Sequence, residues 1–231
     1  MALIDMDDTG TAPNDMHRLR EANHRISNHL TLIAGMVQMQ MSALAKGPSV
    51  LPRDEVRGLL QETAGKIVSI GHLHRRLAEA PQVDAVDVAV FLLENCTHLV
   101  ASLSLGNRIH IAQRLDCNCL ITADQAHHLA LLVSEIIMNA AKHAHPTGLP
   151  VQMSIACRHD EIGRVVIEIS DDGVGLPEGF DANKGGGVGF RLIRSLAQSL
   201  KAELQVESDS LGLSFIVTLP PVRTPVAAAA R

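Results

Sequence analysis

The sequence predicts an α+β protein, with an N-terminal helical hairpin followed by a domain in which a helical layer covers a mixed sheet. Three observations predict this class. Apolar residues recur at helical spacing over residues 15–45 and again over 54–80, with Lys46-Gly47-Pro48-Ser49 as a break between them. From residue 82 onward, short strand-like runs are interspersed with helical ones. Hydrophobic residues make up 46% of the chain and charged residues 19%, which is the balance of a folded globular protein.

The 231 residues leave room for one large or two small domains. Residues 1–14 are polar, contain Gly10 and Pro13, and read as a flexible lead-in. The first helix carries the stripe Leu19, Ile26, Leu30, Ile33 and Val37. Asp54 is positioned to cap a second helix, whose stripe is Val56, Leu59 or Leu60, Ile67, Ile70 and Leu77; Pro81 ends it. Residues 15–81 therefore form a hairpin with too little core to be stable alone. Two solutions exist. A second copy pairs with it, giving a homodimeric four-helix bundle, which is the economical one. Alternatively the hairpin packs onto the rest of its own chain.

Residues 82–221 form the second domain. A helix is predicted over 87–103, strands over 108–111 and 119–121, and a long helix over 123–144. Strands follow over 151–156 and 165–169, then a helix over 188–200 and strands over 204–207 and 214–219. Residues 222–231 follow Pro220 and Pro221, include Pro225, and read as a disordered tail.

Composition removes several function classes. The formal net charge is −5, and Trp and Tyr are absent, so there is neither a basic surface nor a stacking platform for nucleic acid. No apolar run is long enough for membrane insertion, and the acidic N-terminus (Asp5, Asp7, Asp8) has no signal-peptide pattern. The expected location is cytoplasmic. Cys96, Cys117, Cys119 and Cys157 then read as reduced, buried thiols, because Cys117-x-Cys119 lacks the second ligand pair of a zinc site. Little chain precedes the first helix, so a separate sensor or regulatory protein is expected.

Three polar constellations carry chemistry. On the long helix, Glu135, Asn139, Lys142 and His143 share one face at spacings of three and four, interrupting an apolar helix. An asparagine oxygen suits magnesium, and a lysine one turn on neutralises phosphate charge. Asp171-x-Gly173-x-Gly175 follows a strand; its carboxylate is an acceptor for an amine such as that of adenine, and its glycines permit close backbone approach. Gly185-Gly186-Gly187-Val188-Gly189 opens a helix, where exposed N–H groups favour phosphate. Each alone is a weak signal, matched equally by a solvated helix edge or an ordinary turn.

In this order the three resemble the Asn box and two glycine boxes of the GHKL ATPase superfamily. The resemblance implies a Bergerat-type α/β sandwich binding ATP and Mg2+. It implies Asp171, Gly173 and Gly175 at adenine, Asn139 with Glu135 at magnesium, and Lys142, His143, Gly187 and Gly189 near the phosphates. Residues 176–184 would be a short nucleotide lid. Upstream, Glu21-x-x-His24-Arg25-x-x-Asn28-x-Leu30 and Ile67-x-x-Ile70-x-x-Leu73-His74 resemble the phosphoacceptor hairpin of HisKA_2-type sensor histidine kinases. That resemblance implies autophosphorylation of His24 and transfer to an aspartate of a response-regulator receiver domain. Ser27 departs from the lysine usual there. Arg25 stands where many histidine kinases have an acidic residue, so Glu21, one turn earlier, becomes the candidate base, and Asn28 a candidate for positioning water. A phosphotransferase or response-regulator phosphatase on the same scaffold is the alternative.

Overall fold

The computed structural model describes residues 85–102, 105, 108–182 and 184–221 of the second domain. In the helical part it describes residues 27, 30, 31, 33–35, 37–42, 44, 45, 50–54, 56–60, 63–65, 67, 68 and 71. The expected lead-in and tail, and Glu21, His24 and Asn28, lie outside the described residues.

The described residues between 27 and 44 and between 53 and 71 are helical. Thr63 Oγ1 donates to Gln40 Oε1 at 2.8 Å, which sets the two runs side by side as a hairpin. The second run starts earlier than expected. Arg53 and Asp54 are already helical, and the Val56 N–H bonds to the Pro52 carbonyl at 3.1 Å. Pro52 thus heads the helix, where a residue without an N–H costs nothing, and Asp54 lies inside its first turn.

The second domain runs β1 (Val86–Asp87), α1 (Val88–Ser102), β2 (Ile109–Leu115), β3 (Leu120–Ile121), α2 (Ala123–His143), β4 (Val151–His159), β5 (Val165–Asp171), α3 (Val188–Ser199), β6 (Glu203–Asp209) and β7 (Gly212–Thr218). Five strands form a mixed sheet in the order β2-β4-β5-β7-β6, in which only β2 and β4 run parallel. β1 and β3 pair separately as a two-residue ribbon that periodicity cannot reveal.

Strand alternation sets which face is covered. Val151, Met153, Ile155 and Cys157 of β4, Ile167 and Ile169 of β5, and Phe215 and Val217 of β7 are buried. The register aligns Ile155, Ile169 and Phe215 in one row across the sheet. The intervening residues form the opposite face, where Ser214 Oγ donates to Ser170 Oγ at 2.8 Å. The core between sheet and helices is completed by Leu92 and Cys96 of α1, Leu129, Leu132 and Ile136 of α2, and Leu192, Ile193 and Leu196 of α3. From the helical runs, Ile33 and Met39 also pack against it.

β2 extends four residues past the predicted strand because it pairs with β4 from Ile109–Val151 to Leu115–Cys157. The same pairing corrects the cysteine expectation. Cys117 follows β2 beside Cys157 of β4, and the two are joined in a disulfide with Cα atoms 5.5 Å apart. Forty residues separate them in sequence, so only the strand crossover brings them together. Cys96 and Cys119 remain buried thiols, as expected. Burial pushes the Cys96 thiol up to about 12.

Candidate functional site

α2 supplies the floor of the site. Its start is fixed by a capping box: the Gln125 N–H donates to Thr122 Oγ1 at 3.2 Å, and the Thr122 N–H donates to Gln125 Oε1 at 3.0 Å. Its middle is apolar almost all round, as required of a helix held between α1, α3 and the sheet. Against that background Glu135 is only 1% exposed, and Asn139 one turn later is half-buried. Asn139 Nδ2 is buried and has no hydrogen-bond partner among the described residues. Lys142 and His143 follow, exposed in the last turn.

The second glycine cluster is brought onto this strip. A Cβ at Gly189 would stand 2.9 Å from Asn139 Oδ1 and 3.4 Å from Glu135 Oε2, so only glycine lets the first turn of α3 approach so closely. Gly187 caps α3 without a side-chain hydrogen bond, and nothing lies within 4 Å of where its Cβ would be. The start of α3 thus has no side-chain cap and lies two residues from the glycine seated on the Asn139 amide.

Asp171 ends the central strand β5, held between Met153 of β4 and Leu213 of β7. It shares the helix-facing row with Ile167 and Ile169 by strand alternation. Its Oδ1 accepts from the Gly173 N–H at 2.9 Å. Burial raises its carboxyl above the usual aspartate range; the nearby Asp172 adds to this, while the N–H groups of Gly173 and Leu213 oppose it.

The glycines of this first turn have a different reason from the one expected. A Cβ on Gly173 would stand 2.5 Å from the Ala144 Cα, and one on Gly175 would strike the Asp209 carbonyl. Gly175 also has φ +69°, the left-handed region. Both glycines are demanded by protein backbone, not by open ligand space. The Val174 N–H donates to the Ala144 carbonyl at 3.0 Å, fastening this turn to the end of α2. The expected site residues of the domain thus divide into two linked groups. Asn139, Glu135 and Gly189 meet at one end, with Gly187 two residues before at the cap of α3, and Asp171, Gly173 and Gly175 lie at the other, with Lys142 and His143 on the helix end between them in sequence.

Sequence reasoning missed three contributors. Arg194 of α3 donates to the carbonyls of Ala182 at 2.7 Å and Gly185 at 2.9 Å, anchoring the segment between the two glycine turns. The Phe180 ring meets Phe190 edge-on at 5.5 Å in the same segment. His145 pairs with Asp172 at 3.0 Å. The signals were present as an arginine nearly two turns into α3 and an aspartate doublet, but neither names its partner.

A nucleotide with magnesium fits these residues. The unpartnered Asn139 amide, the uncapped start of α3 and the half-buried Asp171 are the donors and acceptors such a ligand uses. Among the described residues no group of three or more His, Cys, Asp or Glu side chains could hold a metal. Magnesium would therefore draw most of its ligands from phosphate and water.

Comparison with known proteins agrees with this geometry. The family model "Histidine kinase" matches residues 21–103, and the model "Histidine kinase-, DNA gyrase B-, and HSP90-like ATPase" matches residues 124–223. The blue-light-activated histidine kinase 2 of Erythrobacter litoralis is 28% identical over 208 residues, covering 88% of this chain and 57% of that protein. The sensor histidine kinase PdtaS of Mycobacterium tuberculosis is 28% identical over 200 residues, covering 84% of this chain and 36% of that protein. The chain thus spans between about a third and three-fifths of the length of these relatives. The solved histidine kinase domain of the Erythrobacter litoralis EL346 blue-light-activated histidine kinase shares the fold, with a TM-score of 0.63 at 22% identity, covering 88% of this chain and 93% of that one. Among the described residues no helix is long and apolar enough to cross a membrane.

Proposed function

The chain belongs to the HisKA_2-type histidine kinases with a GHKL ATPase domain, and on that premise we propose that it phosphorylates its own His24 from ATP. It then passes the phosphoryl group to an aspartate of a response-regulator receiver domain. The observation that carries this reading is the seat of Gly189 on Asn139 and Glu135, which brings two sequence-distant polar motifs together.

Each residue has a role in the proposal. Asn139, with Glu135 behind it, would hold magnesium, and Lys142, His143 and the N–H groups around Gly187 and Gly189 would hold the phosphates. Asp171 would accept a hydrogen bond from the adenine amino group, with Gly173 and Gly175 shaping its turn. When bound, the metal supplies charge neutralisation on the phosphates. The neutral imidazole of His24 attacks the γ-phosphorus; a P–N bond forms, the P–O bond to ADP breaks, and Glu21 takes the ring proton. Asn28 would orient water for attack on the aspartyl phosphate of a partner, releasing inorganic phosphate and the free aspartate. Residues 15–81 would be the phosphoacceptor and dimerisation hairpin, and residues 82–221 the catalytic domain. Two copies would close a four-helix bundle through the exposed apolar side chains of the hairpin.

The test incubates the full chain with γ-labelled ATP and magnesium, beside His24→Ala and Asn139→Ala. Acid-labile, alkali-stable label on the wild type, lost in both variants, is the expected result. Label that persists in His24→Ala removes His24 as acceptor. Failure of the wild type to bind ATP turns the reading toward a phosphotransferase without autokinase activity.

A further inference from the structure

We propose that His145 is a positioning residue for the nucleotide: paired with Asp172, it locks the Asp171 turn to the end of α2 and so sets the affinity for the adenine end. This rests on the ATP-site reading above and adds to it a residue pair outside the three motifs.

Two adjacent carboxylates end β5, and the structure gives them different tasks. Asp172 Oδ1 accepts from His145 Nε2 at 3.0 Å and from the Gln152 N–H at 2.8 Å. The Asp172 N–H returns a bond to the Gln152 carbonyl at 3.1 Å. Asp172 is therefore engaged by β4 and by the residue two positions beyond α2. Asp171 Oδ1 accepts from the Gly173 N–H just ahead in its own turn, and the residue stays in the helix-facing row.

The junction matters because it ties the Asp171 turn to the end of α2. The Val174 N–H bonds to the Ala144 carbonyl, and Gly173 presses on Ala144. His145, the next residue, adds a side-chain pair across the same seam. Backbone contacts alone set a distance. The His145–Asp172 pair adds direction, because the carboxylate is held from two sides by donors on different elements. Loosening it leaves the phosphate end unchanged and lets the base end drift. The His145 side chain is 17% exposed and that of Asp172 45%, so the pair is partly screened and its loss is felt as a several-fold effect.

The experiment uses the full chain and has two readouts. Calorimetric titration measures ATP binding with magnesium, and labelling kinetics separate KM from kcat. For His145→Ala, ATP affinity is expected to fall about fivefold and KM to rise equally, with kcat and the magnesium requirement within about twofold of wild type. His145→Gln keeps an N–H donor and is expected to restore affinity. His145→Ala combined with Asp172→Ala is expected to lose no more than Asp172→Ala alone, which also removes the bond from the Gln152 N–H. Scanning calorimetry without nucleotide checks that the variants remain folded. Wild-type binding with unchanged affinity in His145→Ala overturns the lock, as does a fall in kcat at constant KM or additive losses in the double variant. Absence of ATP binding by the wild type overturns the site reading itself, and the two failures are thereby distinguished.

Discussion

The helical runs and the α/β domain treat their apolar side chains in opposite ways. In the domain, Leu92, Leu132, Ile137, Ile155, Ile167 and Val217 are fully covered by one another across three helices and a sheet. In the helical runs, Leu30, Met41, Leu44, Val56, Leu60, Ile67 and Val68 are all at least 40% exposed within the single chain. Ile33 and Met39, which reach the domain core, are only partly buried. The domain holds itself together, while the hairpin has apolar surface left to cover. That division suits a part that must exchange contacts and a part that must hold a ligand still.

Charging the hairpin is the strongest way to break the comparison. Leu60→Glu with Ile67→Glu is expected to weaken the proposed dimer at least about 100-fold, measured by static light scattering across a dilution series, while ATP binding by the domain persists. A variant that stays dimeric would assign those side chains to another surface. Within the domain, Leu132→Ala empties a fully buried position and is expected to cost about 4 kcal/mol in urea unfolding, with no change in association.

Reducing the Cys117–Cys157 bond opens a long loop and is expected to lower the unfolding free energy by roughly 3 kcal/mol, read as a shift in the melting midpoint with and without reductant. An unchanged midpoint would mean that the bond adds nothing to the domain. Gly189→Ala places a methyl against Asn139 and is expected to weaken ATP binding about tenfold with little loss of fold stability.

The smallest expected effect is a pH dependence from Asp171. Its carboxyl is raised by burial, so it takes up a proton at higher pH than an ordinary aspartate. Protonation removes the charged acceptor that the adenine amine would use. ATP affinity is therefore expected to fall, by about threefold, as pH drops through that raised value, and Asp171→Asn should flatten the profile. Its contribution to stability without nucleotide has the opposite sign. A raised folded value means that the folded state holds the proton more tightly, so this contribution is present at low pH and is lost as pH rises through that value.

Much of the domain was legible in the sequence because local patterns and long elements coincide. The long helix was expected over 123–144 and runs Ala123–His143, since its capping threonine and apolar run act within a few residues. The polar strip Glu135–Asn139 was legible for the same reason. The ends of β2, β4 and β5 were not, because a strand stops where its neighbour stops, and β2 follows β4 to Leu115. Cys117 with Cys157, and His145 with Asp172, are pairs across strand or helix ends that no spacing along the chain encodes.

The sequence by itself determined the helical runs, the three polar motifs and their resemblance to the boxes of GHKL ATPases, because each depends on side-chain chemistry at short separation. Tertiary structure alone decided that Gly189 abuts Asn139, that Gly173 is needed by Ala144 and not by a ligand, and which of two neighbouring aspartates faces the helices. Those outcomes depend on close packing between segments dozens of residues apart, where a single Cβ or one hydrogen-bond donor selects the arrangement.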